Sequence, residues 1–466
     1  MKSNFLMLVV IVLLCSCGIS CSSAQKIATL KPEPDDASPL IYDSSPSFIN
    51  MPVTIRLKDI ENQTNRLLNG LIYEDNNIED DDYTVKVWKQ APIILENQSG
   101  KIKTLLPLKA VVHYRYGIDK FGVALYDTRE INLNGVITLI SDVSLSNWKL
   151  NTTTKFSALD WKESPTITIG GKSLAITYLI NPALRLFKAR IEKNIDEAIK
   201  KSVDFKPNVL DALSKICTPT LMNASYNTWL SIKPIELYTT DAVLKNDNIT
   251  MNMGLKCMIE TTIGNKPKDS FDRNGIVLKP VARLPEQITA NIVAVSTYKD
   301  ASTVITKNFQ GQEFGSGKKK VTVQNVSLWH KDGKIIIALE LLGSLNGTIY
   351  LAGFPQYNDS TKEIYFDQLD YALQTKSTLA KTANWLAGGY ILKKIQENCR
   401  YSIKPNLEDG KLSMLQYLKN YSPMPGVFVN GTMNDIEFKK MQLTNQALIA
   451  FLTVTGKINV TVDGLQ

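Results

Sequence analysis

The chain has 466 residues, 44% of them apolar and 21% charged, with a formal charge of +8. That length suits two or three domains with sizeable cores. Its charges are spread out, Lys318, Lys319 and Lys320 forming the only tight cluster, which excludes the dense basic stripe of a nucleic-acid surface and leaves a mildly basic one suited to anionic headgroups.

Lys2 precedes an apolar run from Phe5 to Leu14, too short for a stable bilayer span and typical of a secretory signal. Leu14-Cys15-Ser16-Cys17-Gly18 resembles the lipobox of bacterial lipoproteins, in which the signal is cut before a cysteine that carries acyl chains. The resemblance implies a signal region over 1–17 ending at lipidated Cys17; Gly18-Ile19-Ser20-Cys21 is a poorer second match. Several acyl chains on one cysteine give a durable membrane anchor, whereas a single chain binds marginally. The implied location is the cell envelope, on the outer membrane facing the periplasm, since no acidic run follows Cys17. Residues 18–46, rich in Ser, Pro and Asp, read as a flexible tether.

Beyond the tether the pattern runs twice. "MPVTIRL" alternates as a strand and leads into a helical stretch with Ile60, Leu67, Leu68 and Leu71 on one side; "ITANIVAVS" and the helix from about Thr297, with Val304, Ile305 and Phe309, restart that plan. Long extended segments follow in both halves. Ile131, Leu133, Ile137 and Leu139 alternate with polar neighbours in the first, and Asp332-Gly333 marks a hairpin turn in the second. Each half then carries a long helix, with Phe187, Ile191, Ile195 and Ile199 in the first and Ile391, Ile395, Cys399 and Ile403 in the second. Both run into Lys-Pro-Asn, at 206–208 and 404–406, where proline suits the first turn of another helix.

The closing segments also correspond. Ile235-Glu236-Leu237 matches Ile436-Glu437-Phe438. Ile249, Met251, Met253, Leu255, Cys257 and Ile259 match Leu448, Ala450, Leu452, Val454, Ile458 and Val460. The division is 47–265, a linker over 266–285, and 286–466.

Catalytic chemistry is not signalled. The two histidines, His113 and His330, lie in different halves, so clustered zinc ligands or a Ser-His or Cys-His pair are lacking. "GQEFGSGKK" at 311–319 misses the phosphate-loop spacing by one residue and has Lys319 where Ser or Thr belongs. The acidic run Glu74 to Asp82 lacks the glycine and terminal glutamate of a calcium loop. No metal, cofactor or catalytic residue is nominated, and the reading is non-enzymatic. Cys217, Cys257 and Cys399 are too few for a disulfide framework; a Cys217–Cys257 bridge is one reading, and buried thiols are the simpler one for Cys257 and Cys399.

The duplicated order, together with "LNGTIYLAGFPQYNDSTKEIYFDQLDYAL" and "LAKTANWLAGGYILKKI", resembles the tubular lipid-binding (TULIP) superfamily, and within it a group of uncharacterised bacterial lipoproteins with a BPI-like duplicated architecture. The first half lacks a counterpart of the Gly-x-Pro turn at Gly353. The fold implied is α+β: two tandem TULIP-like domains, each a long helix wrapped by a strongly curved antiparallel β-sheet. The partner implied is a phospholipid or other acyl-chain ligand in apolar tunnels. Their lining is expected from Ile131, Leu133, Leu139, Phe187, Ile191, Ile249, Met251, Met253 and Leu255, and from Ile391, Ile395, Leu448, Leu452 and Val454. The alternative is a glycan-binding or envelope-assembly lipoprotein with filled cores, using Trp88, Trp148, Trp161 and Trp329 on its outer surface.

Overall fold

The computed structural model describes residues 24–463, apart from 37, 121–122, 163–165, 170–171, 176, 225–226 and 270. The signal region and Cys17 lie outside the described residues. The fold is α+β, with curled antiparallel sheets and helices packed on them.

Each half opens with a strand feeding directly into a helix. Ser47–Arg56 leads into Leu57–Leu67, which buries Leu57, Ile60 and Thr64. Ile288–Thr297 leads into Tyr298–Phe309, where the Thr297 side chain accepts from the Asp300 amide at 3.1 Å and satisfies an orphan donor of the first turn. Antiparallel sheets follow. The first-half sheet orders Leu71–Asp75, Tyr83–Lys89, Lys101–Lys120, Val123–Ser146 and Lys149–Trp161; the second runs from Glu313–Ser316 through Lys319–Lys331, Lys334–Gly343, Leu345–Asn358 and Glu363–Tyr371 to Arg400–Ser402. Register shifts at Thr138/Leu139, Val323/Asn325 and Ala352/Phe354 bend these strands. The hairpin at Asp332-Gly333 has φ of 50° and 76°, the left-handed pair of a type I′ turn.

The first long helix spans Thr177–Ser202 and buries Phe187, Ile191, Ile195 and Ile199. Its expected counterpart is not one helix. It is broken into Leu373–Thr382, Asn384–Ala387 and Gly389–Asn398, so Cys399 caps the last piece and Ile403 precedes the next helix. The breaks fall at Ala383 and Gly388, both non-helical. Adjacent glycines at 388 and 389 weaken helix by about 1 kcal/mol each, and the Tyr371 hydroxyl donates to the freed Leu386 carbonyl at 2.7 Å. Both Lys-Pro-Asn corners open helices, Lys206–Cys217 and Lys404–Leu415.

The duplication is written into hydrogen-bond register. In the first half, the closing strand Asn248–Ile263 pairs antiparallel with the opening strand, from Asn248 opposite Arg56 to Cys257 opposite Ser47. In the second, Ala447–Val462 pairs with its own opening strand from Ala447 opposite Thr297 to Gly456 opposite Ile288. Counterparts therefore lie 241 residues apart on the opening strands (Arg56, Thr297) and 199 apart on the closing strands (Asn248, Ala447). The same offsets hold where the halves meet: Thr261 pairs parallel with Ala294, and its counterpart Val460 pairs parallel with Val53. One continuous sheet thus joins the halves through two equivalent crossings. The Ile235/Ile436 match is displaced from this register. Phe438 pairs with Leu452 as Thr239 pairs with Met253, so Thr239, two residues past Leu237, is its structural counterpart.

Residues 24–46 depart from the expected tether. The strand Leu345–Asn358 meets its neighbour only from Leu351 onward, which leaves an open edge at its start. Gln25–Lys26 fills it by pairing parallel with Leu345 and Asn346, and Ile27 is buried. Gly347, at φ +142°, permits this approach: a Cβ there would stand 2.5 Å from the Ile27 carbonyl oxygen. Further along, the Pro32 carbonyl accepts from Trp329 Nε1 at 3.0 Å, Asp35 pairs with His330 at 2.9 Å and Lys331 at 3.1 Å, and Tyr42 packs on Val293, Val295 and Ile449.

The linker is also held. Leu278–Pro280 pairs with Leu237–Thr239, and Glu236 accepts from Lys279, Tyr238 and, at 3.4 Å, Lys256. Lys279 foremost, with the others, holds the Glu236 carboxyl down to about 2 against an ordinary 4.5. A depressed carboxylate contributes stability above its unfolded value and loses it as pH falls towards the folded one. Acidification from pH 4.5 to 2 is therefore expected to loosen the 278–280 strand first, read as a falling protection factor, each rate referred to the intrinsic one at the same pH, at the Val281 amide, which donates to the Thr239 carbonyl. Glu236→Gln should remove that pH dependence.

Candidate functional site

Apolar faces of several elements converge in the second half without filling the space between them. The sheet contributes Val326, Leu328, Ile335, Ile337 and Leu339; the helix Tyr298–Phe309 contributes Ala301, Ile305 and Phe309; the central sheet contributes Ala294, Ser296, Leu448, Ala450 and Leu452. They line a partly open cavity of about 330 Å³. Pro355, Ile364 and Phe366 close one flank, and Thr228, Thr261 and Ile263 from the first half reach its wall across the crossing. Arg400, Tyr401 and Asn406 supply the larger polar groups. Arg400 is exposed, 3.6 Å from Glu363, and Tyr401 donates to Asn406 at 3.1 Å.

Two polar side chains of the lining are desolvated. Burial alone pushes the Cys399 thiol up to about 12 and raises the Tyr298 phenol well above its usual range, although that hydroxyl donates to the Thr444 carbonyl at 2.9 Å. A cavity of about 150 Å³ lined by Leu, Ile and Phe stays dry and takes small apolar molecules. The space here is larger and similarly walled.

Repeat register explains why the cavity lies here. At four wall positions the second half carries a smaller side chain than its counterpart: Ala294 for Val53, Ser296 for Ile55, Ala301 for Ile60 and Ala450 for Met251. All four first-half residues are buried, none more than 6% exposed, and packed into one cluster. At three other wall positions the order reverses, with Tyr298 for Leu57, Ile305 for Thr64 and Phe309 for Leu68, so the opening is local to those four.

The expected lining residues divide accordingly. Leu448 and Leu452 line the cavity. Ile131, Leu133, Leu139, Phe187, Ile191, Ile249, Met251, Met253, Leu255 and Val454 belong to the first-half cluster, against which Leu452 also packs, and Ile395 is buried in the second-half core. The side chain of Ile391 lies outside the described residues. Sequence reading missed Ala301, Arg400 and the three first-half contributors; a position-by-position size comparison of the two halves would have singled out Ala301.

Other candidates resolve simply. Cys217, Cys257 and Cys399 are free thiols, so the Cys217–Cys257 bridge is not formed. The 311–319 segment is part of a β-hairpin, and Arg115 binds Glu79 at 2.7 Å and Asp82 at 2.8 Å in the acidic run. His113 lies 3.3 Å from Glu130 on the first-half sheet. Trp148 is buried and Trp88, Trp161 and Trp329 are half-buried. Among the described residues no group of three His, Cys, Asp or Glu is placed to hold a metal, and no helix is long and apolar enough to cross a membrane.

The model of a family described as "Domain of unknown function (DUF4403)" matches residues 45–462, both halves and the linker together. The chain belongs to the DUF4403 family. No curated protein matches its sequence. Two solved structures are similar to this DUF4403 chain: a lipopolysaccharide binding protein, at 12% identity over 89% of this chain and 99% of that one with a TM-score of 0.25, and P47 of Clostridium botulinum E1, at 9% identity over 87% and 98% with a TM-score of 0.20. Likeness at those scores has no bearing on the cavity.

Proposed function

We propose that this DUF4403 chain is a non-enzymatic lipid-binding or lipid-transfer lipoprotein of the bacterial envelope, and that its second-half cavity holds the acyl chain of a phospholipid or similar lipid. The observation that carries the reading is the cavity itself, within the usual size range of ligand sites and apolar on nearly every side. Each methylene moved from water into such a wall contributes about 0.8 kcal/mol. Arg400 and Asn406 supply donors for a headgroup, while the hydrocarbon lies against Leu339, Ala450 and Leu452. The repeated opening strand, helix, curled sheet and closing strand support a tubular lipid-binding architecture with units at 47–265 and 286–466.

The test is titration with a fluorescent fatty acid and a fluorescent phospholipid. Saturable binding is expected, and Ala450→Trp, which places an indole in the cavity, is expected to weaken it at least about tenfold, roughly 1.4 kcal/mol. Equal binding by this variant and the parent would sink the assignment of the cavity.

A further inference from the structure

At one end of the second-half sheet three connections meet. The turn between Glu313–Ser316 and Lys319–Lys331, the link from Gly343 to Leu345, and the point where the described chain begins all lie there, because Gln25–Lys26 runs parallel to the start of Leu345–Asn358. The Gln25 amide donates to the Ser344 carbonyl at 3.4 Å, and the Ser344 amide donates to the Lys320 carbonyl at 2.9 Å. The chain therefore emerges beside the lysine cluster.

This end is basic on balance, with exposed Glu340 two residues from Leu342 on the same strand and Glu313 opposite Thr322. Lys26, Lys318 and Lys319 are exposed and make no ion pair among the described residues, whereas Lys320 is paired with Glu313 at 3.1 Å. Leu342, 53% exposed, stands opposite Thr322 at the same end. Ala24 lies seven residues past Cys17, a reach of about 25 Å at most. The far end of the sheet, at Lys331 and Lys334, lies about 40 Å away along a 13-residue strand.

We infer that this end of the second half, presenting Lys26, Lys318 and Lys319 around Leu342, is the face that lies on an anionic lipid bilayer surface. The inference rests on the reading of Cys17 as the lipid anchor and is independent of what the cavity holds. The anchor brings the bilayer within reach of this end first, and lysines near an anionic surface add attraction that fades over about 10 Å at ordinary salt. Toward the opposite end of the same strands lie the cavity residues Ile335 and Pro355.

Lysine acetylation footprinting of the full chain, read by mass spectrometry, tests this. The protein is reconstituted on phosphatidylcholine vesicles with about a quarter phosphatidylglycerol, on phosphatidylcholine alone, and in detergent. Expected is severalfold protection of Lys26, Lys318 and Lys319 on the anionic vesicles, weakened by about 0.5 M salt, with Lys334 and Lys404 unchanged. Lys318→Glu with Lys319→Glu should reduce the protection of Lys26 to its level on neutral vesicles. Uniform protection, protection centred on Lys334 or Lys404, or protection indifferent to phosphatidylglycerol overturns the inference. The mass of the N-terminal peptide separates the two readings. An unacylated Cys17 removes the anchor and, with it, the inference, whereas an acylated Cys17 with protection elsewhere removes the surface alone.

Discussion

Ser296→Ile, Ala301→Ile and Ala450→Met together, each installing the residue found at the equivalent first-half position, are expected to abolish acyl-chain binding while leaving the protein folded. Ile55, Ile60 and Met251 are buried at 0%, 0% and 2% exposure at those positions of the first half, beside Leu57, Thr64 and Leu68 where the second half has the larger Tyr298, Ile305 and Phe309. Filling even 100 Å³ of void recovers about 2 kcal/mol, against roughly 1–3 kcal/mol if packing is imperfect. Affinity for a fluorescent phospholipid should fall at least about tenfold, with the urea midpoint held or raised in ligand-free protein. Undiminished binding would place the ligand elsewhere.

The largest stability effect is expected from Ile55→Ala. Ile55 is fully buried, pairs with Ile249 across the antiparallel ladder and with Val462 across the parallel one, and so sits where the halves join. Truncating such a side chain costs about 2–5 kcal/mol, against roughly 0.5–1.5 kcal/mol for Ile55→Val. Urea unfolding should show the midpoint falling in that order with unchanged slope. Ser296→Ala, at the counterpart position facing the cavity, should shift the midpoint far less, because few packed atoms are lost.

The duplication was legible because it rests on local signals: period-two alternation at Ile249 to Ile259 and Leu448 to Val460, helical spacing at Phe187 to Ile199, and two Lys-Pro-Asn corners. Registers were harder to read. Ile235-Glu236-Leu237 resembles Ile436-Glu437-Phe438 in letters, yet the bulge at Pro234/Glu236 and the loop at 434–436 place them two residues apart on the ladder. Ile391, Ile395 and Cys399 keep helical spacing across the broken helix; the Gly388-Gly389 break is a local signal that this spacing masks, whereas the break at Ala383 has no such signal. The site was only partly legible. Apolar stripes look alike whether they meet or leave a gap, and the gap depends on side-chain size at paired positions of the two halves, as at Ala301 against Ile60.

Whether the second half carries a lipid chain is read by denaturing extraction and mass spectrometry of the full chain purified without harsh detergent. Expected is a lipid with a long acyl chain near one equivalent per protein, lost in the Ser296→Ile, Ala301→Ile, Ala450→Met variant. Acyl lipid well below stoichiometry in the parent protein, or retained equally by the variant, would contradict it.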